Sequence, residues 1–233
     1  MDVKSAYLNG KLEEGIYMEP PPGFNIPEGI VLKLNKAVYG TKQGGHVWYK
    51  NIKAGLERMG YNWTEADHAV FICYWDSVVS IIVLYIDDFT IVCEDINVIL
   101  HNKEALKKAY NMIDLSELTY ILGMHIKQDC KVGWIELSSE HYIKDILECY
   151  SKSDIHLINT PVLTNEHLSK LTTPKIDVKS FQHTLGAIIY PMLSTQPDLA
   201  YAVRALGRHA AMPSDEHQWV LDRVFRYLWA MKD

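Results

Sequence analysis

Asp87 and Asp88 stand side by side between two of the most apolar runs of the chain, residues 81–86 and 89–92. Both runs are rich in Val and Ile, which favour strands, so residues 78–93 read as two antiparallel strands with the acids at the reversal. Asp is also a common turn residue, and a solvated hairpin turn explains the pair taken alone. The flanks argue for more: they look buried on both faces, so the carboxylates leave a packed sheet. Two carboxylates held that close repel, and each favours protonation unless a positive charge lies between them. A divalent cation, which prefers hard oxygen ligands, resolves both problems.

The rest of the chain must supply the elements that hold this pair. Trp48, Ile52, Leu56 and Met59 recur at helical spacing and predict a helix over residues 46–59, stopped by Gly60. Asp95 reads as the N-cap of a second helix reaching about residue 113, with Ile96, Leu100, Leu106, Ala109 and Ile113 on one face and Lys103, Lys107 and Lys108 on another. Residues 1–10 read as a short strand running into a turn at Asn9-Gly10, residues 31–39 as a strand, residues 67–74 as leading into a strand, and residues 16–24 as an extended proline-rich loop. Residues 134–150 read as a strand and a helix, with Ile143, Ile146, Leu147 and Tyr150 facing a core. Residues 151–179 are polar and irregular, the best boundary in the chain. Three helices follow, over 181–193, 198–210 and 215–231, opened or separated by Pro191, Pro197, Pro213 and Ser214. The expected class is α+β: an antiparallel sheet with covering helices over 1–150, a linker over 151–180, and a helical segment over 181–233.

With 233 residues, 48% hydrophobic and 22% charged, the chain can bury a real core. No apolar run reaches membrane-helix length and the N-terminus lacks a signal-peptide core, so the expectation is an intracellular protein of the cytoplasm or nucleus, neither secreted nor membrane-bound. The net charge of −6 argues against a large nucleic-acid footprint but not against a carboxylate-lined cleft. Local basic faces exist at Lys50, Lys53 and Arg58 and at Arg204, Arg208, Arg223 and Arg226, each of which also reads as an ordinary solvated helix face. The four cysteines have neither zinc-site nor disulfide spacing and read as buried thiols.

Tyr85-Ile86-Asp87-Asp88 resembles the Tyr-x-Asp-Asp hairpin of reverse transcriptases, and other segments in order resemble the copia type of long-terminal-repeat retrotransposon. Residues 2–10, Asp-Val-Lys-Ser-Ala-Tyr-Leu-Asn-Gly, are similar to that family's first carboxylate motif. Tyr39, Gly40, Lys42, Gln43, Trp48 and Tyr49 match its Tyr-Gly-Leu-Lys-Gln-Ala-Pro-Arg-Ala-Trp loop; Thr41, Gly44, Gly45 and His46 depart from it. Residues 16–24 resemble its Tyr-Met-x-x-Pro-x-Gly-Phe segment, and residues 114–126 its Asp-Leu-Gly-Glu-Leu-x-Tyr-Phe-Leu-Gly-x-x-Ile segment. Gly186, Tyr190, Pro197, Asp198, Ala202, Val203, Pro213, His217, Trp219 and Arg226-Tyr227-Leu228 match the family's stretch linking polymerase to RNase H.

The resemblance implies a polymerase palm-like sheet in which Asp2, Asp87 and Asp88 are catalytic and hold two Mg²⁺ ions about 4 Å apart, with Mn²⁺ as a substitute. It implies nucleotide-binding roles for Tyr7, Gln43 and Tyr85, Tyr7 blocking a ribose 2′-hydroxyl, and a primer grip at Leu122, Gly123 and Met124, followed by His125 where the family has an acid. The implied partners are an RNA template, a DNA primer, deoxynucleotide triphosphates and the rest of a Pol polyprotein. A fingers region normally precedes the first Asp and an RNase H domain follows the linking stretch. The expectation is therefore a truncated domain, weak or inactive as the isolated chain, whose α-amino group (pKa roughly 7.7–8.0) competes with metal for Asp2. The alternative is a domesticated, non-catalytic nucleic-acid-binding or protein-interaction module.

Overall fold

The computed structural model describes residues 1–150, 158–162, 168 and 174–231. Packing divides the chain into two units, Met1–Leu118 and Thr119–Asp233, each with its own apolar core. The linker expected over 151–180 falls largely outside the described residues.

The first unit contains β1 (Asp2–Val3), a 3-10 turn (Ala6–Asn9), β2 (Lys11–Met18), β3 (Leu32–Lys36), α1 (Gly44–Arg58), β4 (Asn62–Trp63), β5 (Val70–Trp75), β6 (Val78–Tyr85), β7 (Asp88–Cys93), α2 (Ile96–Ala109) and β8 (Met112–Ile113). Six strands form one antiparallel sheet in the order β4-β5-β6-β7-β1-β8, and β2 pairs with β3 in a separate ribbon. The sheet is covered on one face. Phe71, Ile82, Leu84, Phe89 and Val3 turn inward against Trp48, Ile52 and Leu56 of α1 and Leu106 of α2. Strand alternation sends their neighbours the other way, so Tyr85 and Val92 remain more than half exposed. The expectation that both faces of the hairpin are buried is therefore corrected.

Helix α1 ends as Gly60 predicts. Gly60 takes φ 89°, its N–H donates to the Glu57 carbonyl, and the Tyr61 N–H donates to Leu56, the paired bonds of a Schellman cap. Asp95 caps α2 through its side chain, which accepts from the Asn97 N–H. The face assigned to α2 is corrected in part: Leu106 is buried as expected, but Ile96 and Leu100 are exposed and Asn102 is buried, and the helix ends at Ala109, with Ile113 in β8 rather than in the helix. The proline segment is corrected in part, since residues 16–18 belong to β2 and the irregular chain begins at Glu19.

The second unit contains β9 (Tyr120–Ile121), β10 (Met124–Asp129), β11 (Trp134–Ser138), α3 (Glu140–Tyr150), α4 (Val178–Ala187), α5 (Ile189–Ser194), α6 (Ala200–Gly207) and α7 (Asp215–Ala230). The three strands form one antiparallel sheet, β11-β10-β9. Ile143, Ile146 and Leu147 of α3 share a core with Phe181, Leu185, Leu206, Leu221 and Val224. The single helix expected over 181–193 is two helices. Pro191 has no N–H to give the Ala187 carbonyl, which accepts from the Tyr142 hydroxyl instead (2.9 Å), and the break falls at Ile188 between them. All four cysteines are free, and only Cys73 is buried; Cys130 and Cys149 are exposed, against expectation.

Candidate active site

β1 is short because Ser5 takes φ 56° and turns the chain into the 3-10 turn, where the Asn9 amide donates to the carbonyls of Ser5 and Ala6. Its two residues are nevertheless inserted between β7 and β8. The Val3 N–H donates to the Asp87 carbonyl (2.9 Å) and the Phe89 N–H to the Met1 carbonyl (2.8 Å), so Asp2 lies directly opposite Asp88. Those bonds flank the Asp2–Asp88 pair rather than joining it, the arrangement in which facing side chains approach most closely. Val3 and Phe89 point into the core, and the same alternation puts both carboxylates on the opposite face.

Burial pushes the Asp88 carboxyl above its ordinary value. The charge of Asp2 adds to that rise, and the Met1 α-amino group opposes it. That α-amino group donates to the Phe89 carbonyl (2.8 Å).

Between the strands, Ile86 and Asp87 form a two-residue turn closed by the Tyr85–Asp88 pair. Ile86 has φ 53°, a conformation that a β-branched residue adopts at a cost of roughly 1–2 kcal/mol. Its carbonyl accepts from the Trp48 indole N–H (2.8 Å), which anchors the turn to α1. Asp87 is held from another side: the Tyr39 hydroxyl donates to its Oδ2 (2.6 Å), and its Oδ1 is buried without a partner. Partial burial of the phenol, then the hydrogen bond to Asp87, push the Tyr39 hydroxyl up to about 12. The Tyr39 ring stacks on Tyr7 (centroids 4.3 Å apart, planes at 29°).

Thus the first unit holds Asp2, Tyr7, Gln43, Tyr85, Asp87 and Asp88. Tyr85 ends β6 with its side chain exposed. Gln43 precedes α1, and its amide donates to Glu14 of β2 (3.1 Å). Gly44, where the family motif has Ala, lies under Tyr7: an added Cβ would meet Thr41 Oγ1 at 2.9 Å and Tyr7 at 3.3 Å. Sequence reasoning assigned Tyr39 and Trp48 no place at the turn. Trp48 carried a signal, because a buried indole N–H requires an acceptor.

Leu122, Gly123 and Met124 lie in the second unit, at the tight turn joining β9 to β10. Leu122 and Gly123 both have positive φ (50° and 84°). The group that approaches this turn is the Tyr190 hydroxyl, which donates to the Leu122 carbonyl (2.7 Å) and would lie 2.8 Å from a Cβ at Gly123.

Three carboxylates around one turn, two directly opposed and the third with an unpartnered buried oxygen, fit a hard divalent cation in donor chemistry. Their side chains are not drawn into one cluster, since no group of three His, Cys, Asp or Glu among the described residues is gathered closely enough to hold a metal ion.

Residues 1–164 match the family model described as reverse transcriptase (RNA-dependent DNA polymerase). The chain is 34% identical, over 98% of its length, to a retrovirus-related Pol polyprotein from transposon TNT 1-94 of Nicotiana tabacum, and 30% identical, over its whole length, to one from transposon RE2 of Arabidopsis thaliana. It covers 18% and 16% of those two proteins. A protein of transposon Ty5-1 from Saccharomyces cerevisiae is 30% identical over the whole chain, which covers 76% of it. No solved structure matches.

Proposed function

The chain belongs to the reverse transcriptase family, as a domain of a copia-type retrotransposon Pol polyprotein, and from that premise we propose that its first unit is a polymerase palm serving RNA-directed DNA synthesis. The observation that carries this reading is the register of β1 against β7, which sets Asp2 opposite Asp88 beside the Asp87 turn.

In this reading Asp2, Asp87 and Asp88 hold two Mg²⁺ ions, or Mn²⁺ in their place. Held there, such ions would supply activation of a primer 3′-hydroxyl and charge neutralisation of the leaving pyrophosphate. The chain's own part is positioning, which dominates phosphoryl-transfer catalysis. Opposed strands present two carboxylates on the face away from the core, and Trp48 holds the turn that carries the third. Tyr7 guards the sugar's 2′ position, Gln43 and Tyr85 contact the nucleotide, and Leu122, Gly123 and Met124 grip the primer. Residues 1–150 supply the palm and thumb-like parts, and 181–233 the connection to further polyprotein domains. The substrates are an RNA template, a DNA primer and deoxynucleotide triphosphates, inside the cell.

A nucleic-acid-binding or protein-interaction role without catalysis is the second reading. Mg²⁺-dependent extension of a DNA primer on an RNA template separates the two. Slow incorporation by the chain, lost in Asp87→Asn, is the expected outcome. Equal absence of incorporation from both proteins, each shown to be folded, would leave the non-catalytic reading.

A further inference from the structure

We propose that Tyr39 is the positioning residue of the site, fixing which oxygen of Asp87 is offered to a cation; the inference rests on the polymerase reading above. The two oxygens of Asp87 differ. Oδ2 accepts a 2.6 Å hydrogen bond from the Tyr39 hydroxyl, and Oδ1 is buried with no partner. A buried carboxylate oxygen left unpaired is costly, and a cation is the partner that most fully offsets the cost. Carboxylates that bind metals are commonly oriented through a hydrogen bond to their other oxygen, and losing such a bond typically costs ten- to a hundredfold in metal affinity. Tyr39 stands in that relation to Asp87.

The placement of Tyr39 follows from its own neighbourhood. It lies three residues beyond the end of β3 and directly before Gly40, which takes φ 88°. Its ring is braced by the stack on Tyr7, so its hydroxyl is aimed without help from Asp87. Together with Trp48 it grips the hairpin turn at two successive residues, one through the Ile86 carbonyl and one through the Asp87 side chain. Because Tyr7 braces Tyr39, a change at Tyr7 reaches Asp87 through one intermediary ring.

The test is Mn²⁺ binding to the full chain, followed by the EPR signal of free and bound ion, in the wild type and in Tyr39→Phe, Tyr7→Leu, Asp2→Asn and Asp87→Asn. Tyr39→Phe keeps the ring and deletes only the donor. With unchanged circular dichroism and melting temperature, it is expected to weaken Mn²⁺ binding roughly ten- to a hundredfold. It is also expected to change the EPR fine structure of the bound ion at saturation, because the freed carboxylate can then use both oxygens. Tyr7→Leu, which loses the brace and keeps the hydroxyl, is expected to show a smaller effect of the same sign. Wild-type affinity and line shape in Tyr39→Phe, with binding lost in Asp87→Asn, would overturn the inference and leave the polymerase reading standing. Mn²⁺ binding unaffected by either Asp variant would overturn both.

Discussion

At Ile86 the chain accepts local strain to put Asp87 where it is. A β-branched residue at φ 53° is out of place for its backbone, and the Trp48 hydrogen bond to its carbonyl holds it there. Glycine adopts that conformation freely, so Ile86→Gly removes strain at the cost of a more flexible unfolded chain. Urea unfolding of Ile86→Gly is expected to give a stability within about 1 kcal/mol of the wild type, whereas an ordinary buried Ile of the same sheet, truncated at Ile82, should cost roughly 2–5 kcal/mol. A loss of several kcal/mol at Ile86 would mean that its side chain, 46% exposed, packs in a way the backbone strain does not reveal. The Tyr-x-Asp-Asp pattern was legible at this scale because all four residues are contiguous. The strain and its anchor were not, because φ at Ile86 is set by the pairing of Tyr85 with Asp88 and by a helix whose first turn lies some forty residues earlier.

Among the elements, α2 shows how a helix face is misread from hydropathy. The core position is occupied by Asn102, fully buried, whose amide donates to the Tyr61 hydroxyl (2.7 Å) and to Ser80 Oγ (3.2 Å), while Tyr61 and Ser80 share a 2.6 Å hydrogen bond. The three residues tie α2, the cap that follows α1, and β6 into one polar knot inside the apolar core. The Asn102 amide nitrogen is paired with both hydroxyls while its Oδ1 is buried without a partner, and Asn102 faces inward while Ile96 and Leu100 stay out. Asn102→Ala leaves the two hydroxyls short of a partner and is expected to lower stability by about 1–3 kcal/mol, seen as a lower melting temperature. Ser80→Ala in the same background should then cost less than it does alone, since the knot is already broken. Pro191 teaches the same lesson from the other direction. Its effect on the helix was foreseeable, but the point of the break depends on Tyr142, which satisfies the carbonyl that Pro191 leaves free.

At the scale of the molecule, two cores divide the work. One lies under the sheet that carries the three aspartates, and the other gathers α3 with α4, α6 and α7. Leu147→Ala, in the second core, is expected to cost roughly 2–5 kcal/mol there. In hydrogen exchange it should expose amides of residues 174–231 while those of β6 and β7 keep their protection; equal loss in both units would refute separate cores. The family, the antiparallel hairpin, the caps at Gly60 and Asp95 and the inward face of α3 could all be read from the sequence, because each is set by neighbouring residues or by a period of two or near four. Tertiary structure alone decided that two residues at the start of the chain lie against β7 with Asp2 facing Asp88, that Tyr39 takes one oxygen of Asp87, and that a polar residue turns α2 toward the core. Those outcomes depend on strand register and on hydrogen bonds between distant residues, which no local pattern encodes.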